Sequence, residues 1–439
     1  MSQAQEMPRT AAEPQRTPPS PSITEQGQFD EEFYLTRYPD VARGVAAKHF
    51  KSGWHHYNAA GRREGREARM IGFDPVHYLR SYPQATEEIA AGLATDAADH
   101  YRRFGKARAF LPNPDAERPG NPAAPPSRFG GLWPDLPNAH DIIAGKLEIG
   151  QITEAQAELL RFWIAHGYVI LQNAIPPEIL GPARDALERA HSGQMPRQLF
   201  ECGAVVGSRE TVKWRPEIND HPAKALDIHF LSRAIRNAIF ADAISDFMAL
   251  VFESRALASQ TLGFWRGSAQ TGHQDTAYVA YSIPRNFVAS WIALEDVTLG
   301  AGELFYHERS HTLEDWLYGG EFKTIHDWRR MNDGKFPSSE VNAFVDSLRK
   351  RTTQQGMEKK VFAAKAGDVL IWHADLVHGG NPVSRDITRK SVVTHYCPSR
   401  LVPLYFENRA VKLYDHGPHR FASGVYLHSE PGEVEESAA

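Results

Sequence analysis

Gly272-His273-Gln274-Asp275 and, a hundred residues later, Asp368-Val-Leu-Ile-Trp-His-Ala-Asp-Leu-Val-His378-Gly-Gly decide how this chain is read. A His-x-Asp on extended backbone sends its imidazole and carboxylate to one side, because strand side chains alternate with period 2. The second stretch is β-rich and reads as a strand pairing beside the first, bringing His378 to the same point. Two imidazoles and one carboxylate make a three-ligand face that suits Fe(II) and leaves positions open opposite. Arg389 follows His378 by eleven residues, at the start of the strand-like run Lys390–Tyr396. A buried guanidinium there can grip a carboxylate bidentately, as a 2-oxo acid co-substrate requires.

The tripeptide alone is weak: with 20 histidines a chance copy is expected, and a second, His373-Ala374-Asp375, is present. The ordinary reading of either pair is a hydrogen-bonded contact at a strand end. His373 and Asp375 lie too near His378 in sequence to supply an independent ligand set, and read as structural. The order His-x-Asp, distal histidine, arginine lifts the first copy above that reading.

The 439 residues suit two or three domains with a sizeable core. A net charge of -5 argues against a nucleic-acid partner held through backbone phosphates. The two cysteines, Cys202 and Cys397, have neither CxxC spacing nor a disulfide framework. No run is apolar for long enough to span a bilayer, and no signal-peptide pattern opens the chain, so the expected address is the cytoplasm.

Residues 1–28, rich in Pro, Ser, Gln and Thr, read as a disordered tail. From Phe29 a repeat of 44 residues runs to about 110: Phe29-Asp30 recurs as Phe73-Asp74, Tyr34 as Tyr78, Tyr38-Pro39 as Tyr82-Pro83, His56-Tyr57 as His100-Tyr101 and Gly61 as Gly105. Each copy reads as short helices around aromatics (Phe33, Tyr34, Tyr57), with Pro39 breaking one helix, Gly61 capping another, and basic residues following the glycine. The repeat resembles short units of bacterial glycosyltransferases and cell-surface polysaccharide proteins, which implies a protein-partner module near glycan assembly. Residues 111–146 read as a Pro/Gly linker, 147–410 as the main domain and 411–439 as a C-terminal tail.

In the main domain Thr153-Glu-Ala-Gln156 predicts a capped helix, Tyr168–Leu171 a buried strand, and Pro176-Pro177 the start of a helix ending near Ala190. A helical pair covers Leu231–Phe252. Strands are expected at 256–266, 278–282, 288–294, 304–307, 361–363, 369–373 and 391–397. The fold class is α+β: a cupin-like jelly roll backed by helices, with a helical insertion at 312–360 as lid or rim.

Gly272–Asp275, Trp291-Ile-Ala-Leu-Glu-Asp296, Gly300-Ala-Gly-Glu303 with Ser310-His311, Trp372 with His378-Gly-Gly, and Arg389-Lys-Ser together resemble the phytanoyl-CoA dioxygenase family of Fe(II)/2-oxoglutarate oxygenases, over roughly 150–405. The resemblance implies a double-stranded β-helix, iron ligands at His273, Asp275 and His378, a co-substrate arginine at Arg389, and Trp291 on the active-site wall. It implies turnover of 2-oxoglutarate and O2 to succinate and CO2, with hydroxylation of a small or carrier-linked substrate. An intact Asp275 argues against a halogenase. The chain departs from the family at His307-Glu-Arg-Ser-His311, where relatives often read Pro-Gly-Ser-His, and at Gly379-Gly380, which replace a hydroxyl residue. Glu308 and Arg309 are expected to shape the substrate pocket, and Tyr278, Tyr281, Trp265 and Arg266 to flank it. Two other readings are a non-catalytic interaction protein working through its repeats and a metal-dependent hydrolase; the second gives Arg389 no task.

Overall fold

The computed structural model describes residues 29–432 apart from 30, 32–33, 36–37, 62–63, 65–72, 74, 106–126, 207–209 and 407–410. The chain divides into two compact units, Met1–Arg118 and Pro119–Ala439. The tail expected at 1–28, Phe33 and the basic residues after Gly61 and Gly105 lie outside the described residues.

In the first unit the elements recur at the sequence period. Helices Pro39–Ala46 and Gly53–His56 with the π-turn Tyr57–Gly61 return as Pro83–Ala90, Ala97–His100 and Tyr101–Gly105. The Tyr34 hydroxyl meets His56 Nδ1 at 3.1 Å, and Tyr78 meets His100 at 2.8 Å. Pro39 opens a helix rather than breaking one, since its fixed φ suits the first turn. Gly61 and Gly105 are needed for space: a Cβ on either would sit 2.0 Å from the tyrosine hydroxyl.

The second unit is built on two sheets. Its strands are β1 Tyr168–Leu171, β2 Leu199–Glu201, β3 Thr211–Lys213, β4 Lys224–Leu226, β5 Ala256–Phe264, β6 Val288–Ala293, β7 Leu304–His307, β8 Lys359–Phe362, β9 Val369–His373, β10 His378–Gly380, β11 Ser391–Pro398, β12 Tyr414–His416 and β13 His419–Phe421. The larger sheet runs β1-β9-β6-β11-β5-β4-β2-β3, with the β12–β13 hairpin joined to β5, and the smaller runs β10-β7-β8.

Alternation assigns each inner strand two faces. Val288 and Ile292 of β6 and Val369 and Ile371 of β9 pack under the helices Glu154–His166, Pro177–Ala190 and Asp242–Phe252. Their neighbours Ala289, Trp291, Leu370 and Trp372 face the smaller sheet through Leu304, Tyr306 and Phe362. Strands buried on both faces read as continuous apolar runs, which is why these were legible. The first of these helices carries the expected capping box: Thr153 Oγ1 accepts from Gln156 N, and Gln156 Oε1 from Thr153 N.

Three expectations change. Residues 127–146 are not linker: Ser127 bonds Asp315, Trp133 Nε1 donates to Leu250 O, and Ala139–Glu148 is a helix. Residues 411–439 are not wholly tail, since β13 pairs in parallel with β5. Residues 278–282 form no strand; they follow a 3-10 turn at Asp275–Ala277 and make one isolated bridge, Tyr281 to Pro403, outside both sheets. The insertion carries helices Ile325–Met331 and Ser338–Gln354, anchored by Tyr318, Phe344 and Leu348. No helix of the described residues is long and apolar enough to cross a membrane.

Candidate active site

His273 and His378 form an isolated antiparallel bridge, with His273 N donating to His378 O at 2.9 Å and His378 N to His273 O at 3.0 Å. That pairing sets both imidazoles side by side, ring centres 4.5 Å apart. Each Nδ1–H donates to a backbone carbonyl two residues back, Thr271 O and Leu376 O, both at 2.9 Å. The tautomer is thereby fixed and each Nε2 presents its lone pair to the same point.

Asp275 enters where extended backbone gives way to the 3-10 turn. Its Oδ1 lies 3.5 Å from His273 Nε2 and 3.6 Å from His378 Nε2. Its Oδ2 is already engaged: Trp372 Nε1 donates to it at 2.9 Å, and His395 Nε2 stands 3.5 Å away. One carboxylate oxygen is therefore held back and the other left toward the imidazoles. The three ligand atoms lie within 4.8 Å of one another, and all three residues are buried.

The charge states suit metal binding. Burial pushes the Asp275 carboxyl up, but the imidazoles of His378, His273 and His395 more than reverse this and hold it well below the usual range. Burial takes the His378 imidazole down to about 4 against the pull of Asp275, so its lone pair is available at neutral pH. Gln270 Nε2 lies 3.2 Å from His273 Nε2, where a metal would have to replace it.

Arg389 opens onto the same cavity, of about 740 Å³. Only 2 % of it is exposed. Nη1 donates to Gly302 O, and among the described residues Nε has no hydrogen-bond partner. The guanidinium lies over the rings of Trp291 and Phe264, 5.5 and 5.8 Å from their centres. Burial lowers its pKa to about 10, with Glu303 opposing, so it stays charged at neutral pH. A buried cation with an unused N–H beside a cavity is costly unless an anion completes it. The residues thus fit both groups that the resemblance implies: a divalent metal at the three ligand atoms and a carboxylate at Arg389.

Of the flanking residues, Tyr278 lines the cavity but Tyr281, Trp265 and Arg266 do not: they bond Ser259, stack on His191, and hold Asn219 and Asp386. Glu308 and Arg309 do not reach the pocket either. Glu308 is drawn to His166 and Tyr168, and Arg309 takes a left-handed turn (φ 65°). Gly379 explains the missing hydroxyl, since a Cβ there would lie 2.6 Å from Gln270 O. His395, Gln260 and the Trp372 hydrogen bond were not anticipated. Strand parity was the available signal: Val393 and His395 of β11, and Gln260, Leu262 and Phe264 of β5, all line the cavity.

The structure and the family comparison define a non-haem iron, 2-oxoglutarate-dependent oxygenase. Residues 163–391 match the family model of phytanoyl-CoA dioxygenase (PhyH), more than half of the chain. The chain belongs to that family. No curated protein matched the sequence. Among solved structures, the epimerase SnoN of nogalamycin biosynthesis, in complex with Fe3+ and alpha ketoglutarate, is 18% identical, with 57% of this chain and 86% of that one covered and a TM-score of 0.41. EctD from S. alaskensis, with 2-oxoglutarate and 5-hydroxyectoine, is 17% identical over 56% of this chain and 76% of that one, with a TM-score of 0.39. AviO1 from Streptomyces viridochromogenes Tue57 is 14% identical over 57% and 99%, with a TM-score of 0.36.

Proposed function

We propose that the protein hydroxylates an unactivated C–H bond of a small molecule, with His273, Asp275 and His378 holding the iron and Arg389 the far carboxylate of 2-oxoglutarate. The observation that carries this is the convergence of Nε2, Nε2 and Oδ1 at one wall of a cavity that Arg389 also enters. Iron and 2-oxoglutarate, when bound, supply a two-electron oxidation by O2 coupled to formation of succinate and CO2.

The chain's own residues hold and shelter that chemistry. The two backbone-fixed imidazoles and Trp372 keep the ligand atoms from rotating away. Trp291, with Arg389 over its ring, gives the co-substrate a flat apolar floor that keeps water from the guanidinium. An intact carboxylate at Asp275 leaves no ligand gap for a halide, so hydroxylation is favoured over halogenation. These residues all lie in 119–439, to which we assign catalysis.

The test is succinate formation from 2-oxoglutarate by the purified protein with Fe(II), together with a one-oxygen mass gain in a cell-extract metabolite. Loss of both in His273→Ala and His378→Ala is expected. Unchanged turnover in either variant removes that residue from the metal.

A further inference from the structure

The active-site cavity carries more positive charge than the proposed chemistry uses. Among the described residues its walls hold Lys224, Arg329, Arg330 and Arg389 against two carboxylates, Glu201 and Asp275. Lys224 is neutralised by Glu201 at 2.7 Å. The charges of Asp275 and Arg389 cancel formally, as do those of an Fe(II) ion and a 2-oxoglutarate dianion. Arg329 and Arg330 remain, on a chain whose net charge is -5.

Both sit on the helix Ile325–Met331 of the insertion. Ile325, His326, Arg329 and Arg330 all line the cavity, a spacing that puts them on one helix face. Arg329 spends only its Nε, on Gly334 O at 3.0 Å. Among the described residues neither arginine has a carboxylate partner, and both are exposed. Basic residues in a last turn also offset the helix dipole. That role asks for no direction, whereas these side chains border the cavity that holds the metal-ligand cluster. Leu226, Leu262, Val279 and Phe336 give the same cavity an apolar wall.

Resting on the oxygenase reading, we propose that the substrate is amphipathic and bears a carboxylate or phosphate that seats on Arg329 and Arg330. The helix Ile325–Met331 is then the element that selects it. A charged hydrogen bond at a half-open site discriminates by charge first and shape second.

The test uses the full chain with Fe(II) and saturating 2-oxoglutarate under anaerobic conditions, which occupies Arg389. Octyl phosphate, octanoate, octanol and octylamine are titrated by calorimetry into the wild type, Arg329→Gln/Arg330→Gln and Arg329→Glu/Arg330→Glu. The wild type should bind at least one anion about tenfold or more tighter than octanol, and octylamine weakest. The glutamine pair should erase that margin without changing 2-oxoglutarate affinity, and the glutamate pair should turn preference toward octylamine. Phosphate over carboxylate, or the reverse, names the group. Equal binding of octanol, no anion binding at all, or anion binding indifferent to both double variants overturns the proposal. Failure of 2-oxoglutarate to bind in its own titration would instead remove the oxygenase reading, and the octyl series still reads the arginine subsite.

Discussion

His-x-Asp is found at 273–275 and again at 373–375, both copies buried, and their surroundings differ in one respect that separates a site from a strut. Asp375 is saturated: Arg285 Nε meets it at 2.7 Å, Lys323 Nζ at 2.9 Å and Thr276 Oγ1 at 2.5 Å. His373 accepts from Asp375 N and stands 3.2 Å from Asp135. Among the described residues Asp275 has a hydrogen-bond donor on Oδ2 alone, and the imidazoles of His273 and His378, their Nδ1–H groups bound to backbone, turn lone pairs toward Oδ1. The saturated copy also fastens the open one. Thr276 Oγ1 and Gln274 Nε2 both donate to Asp375, so the residues on either side of Asp275 are tied to β9's end. Unspent ligand atoms are affordable only where a neighbouring network fixes the backbone that carries them.

Exchanging the fates of the two aspartates is the strongest way to break that contrast. Asp275→Ala should abolish Fe(II) binding and all 2-oxoglutarate turnover while the melting temperature stays within a few degrees of wild type. Asp375→Ala should do the reverse in kind. Burial raises its carboxyl, but Lys323 and Arg285 hold it far below the ordinary range. Removing it takes from buried Arg285 the one carboxylate it pairs with among the described residues and leaves Lys323 with Asp315 alone, a loss of about 3–5 kcal/mol in denaturant unfolding. Comparable destabilisation by the two alanines would show that the copies are not different in kind. Arg389→Ala comes next: it should weaken 2-oxoglutarate by about 1.5–3 kcal/mol by direct titration. Unaltered affinity would make the arginine structural.

The neighbourhood of the saturated network should also weaken in acid. His311 packs beside His373, ring centres 5.4 Å apart, and burial lowers its pKa to about 4, with His373 adding to the shift. The folded state refuses a proton that the unfolded chain accepts near pH 6.5. Its stability contribution is therefore present above pH 6.5 and lost as pH falls toward 4, at up to about 1.4 kcal/mol per unit. His311→Gln, which keeps a donor for Ile164 O, should flatten the pH dependence of unfolding across that window by about 1–3 kcal/mol. An unchanged slope would show that His311 is not the group that titrates.

How much of this was legible depended on whether the determining contact was local. The strands β6 and β9 announce themselves because burial on both faces leaves largely apolar runs. The proposed ligand triad and Arg389 are read from order and spacing, and Trp291 from the family resemblance; the structure brings all five to one cavity. What escaped was set by partners far away in sequence. Ser127 belongs to the large unit because Asp315 accepts its proton, 188 residues on, which a proline-rich segment does not foretell. Glu308 looked like a pocket residue until His166 and Tyr168 claimed it. Residues 278–282 carry strand-like residues, but the turn that delivers Asp275 consumes the backbone just before them.

Trp372 offers the smallest and most specific test of the two-aspartate contrast. It lies on β9, one residue before His373, yet its indole crosses to the other copy and donates to Asp275 Oδ2. If that bond is what keeps one oxygen out of the ligand set, Trp372→Phe keeps a smaller aromatic ring there and deletes the donor. The carboxylate then gains freedom to rotate, and the ordered ligand atom must be fixed at the metal's expense. Loss of an outer partner of this kind typically costs 10–100-fold in metal affinity. Because His395 remains 3.5 Å from the same oxygen, the low end, about tenfold, is expected in a competitive Fe(II) or Co(II) titration. The cavity left by the smaller ring lowers stability as well, so affinity is read at a temperature where the variant is fully folded. Metal affinity equal to wild type, alongside a lowered melting temperature, would reduce Trp372 to packing and leave His395 as the group that orients Asp275.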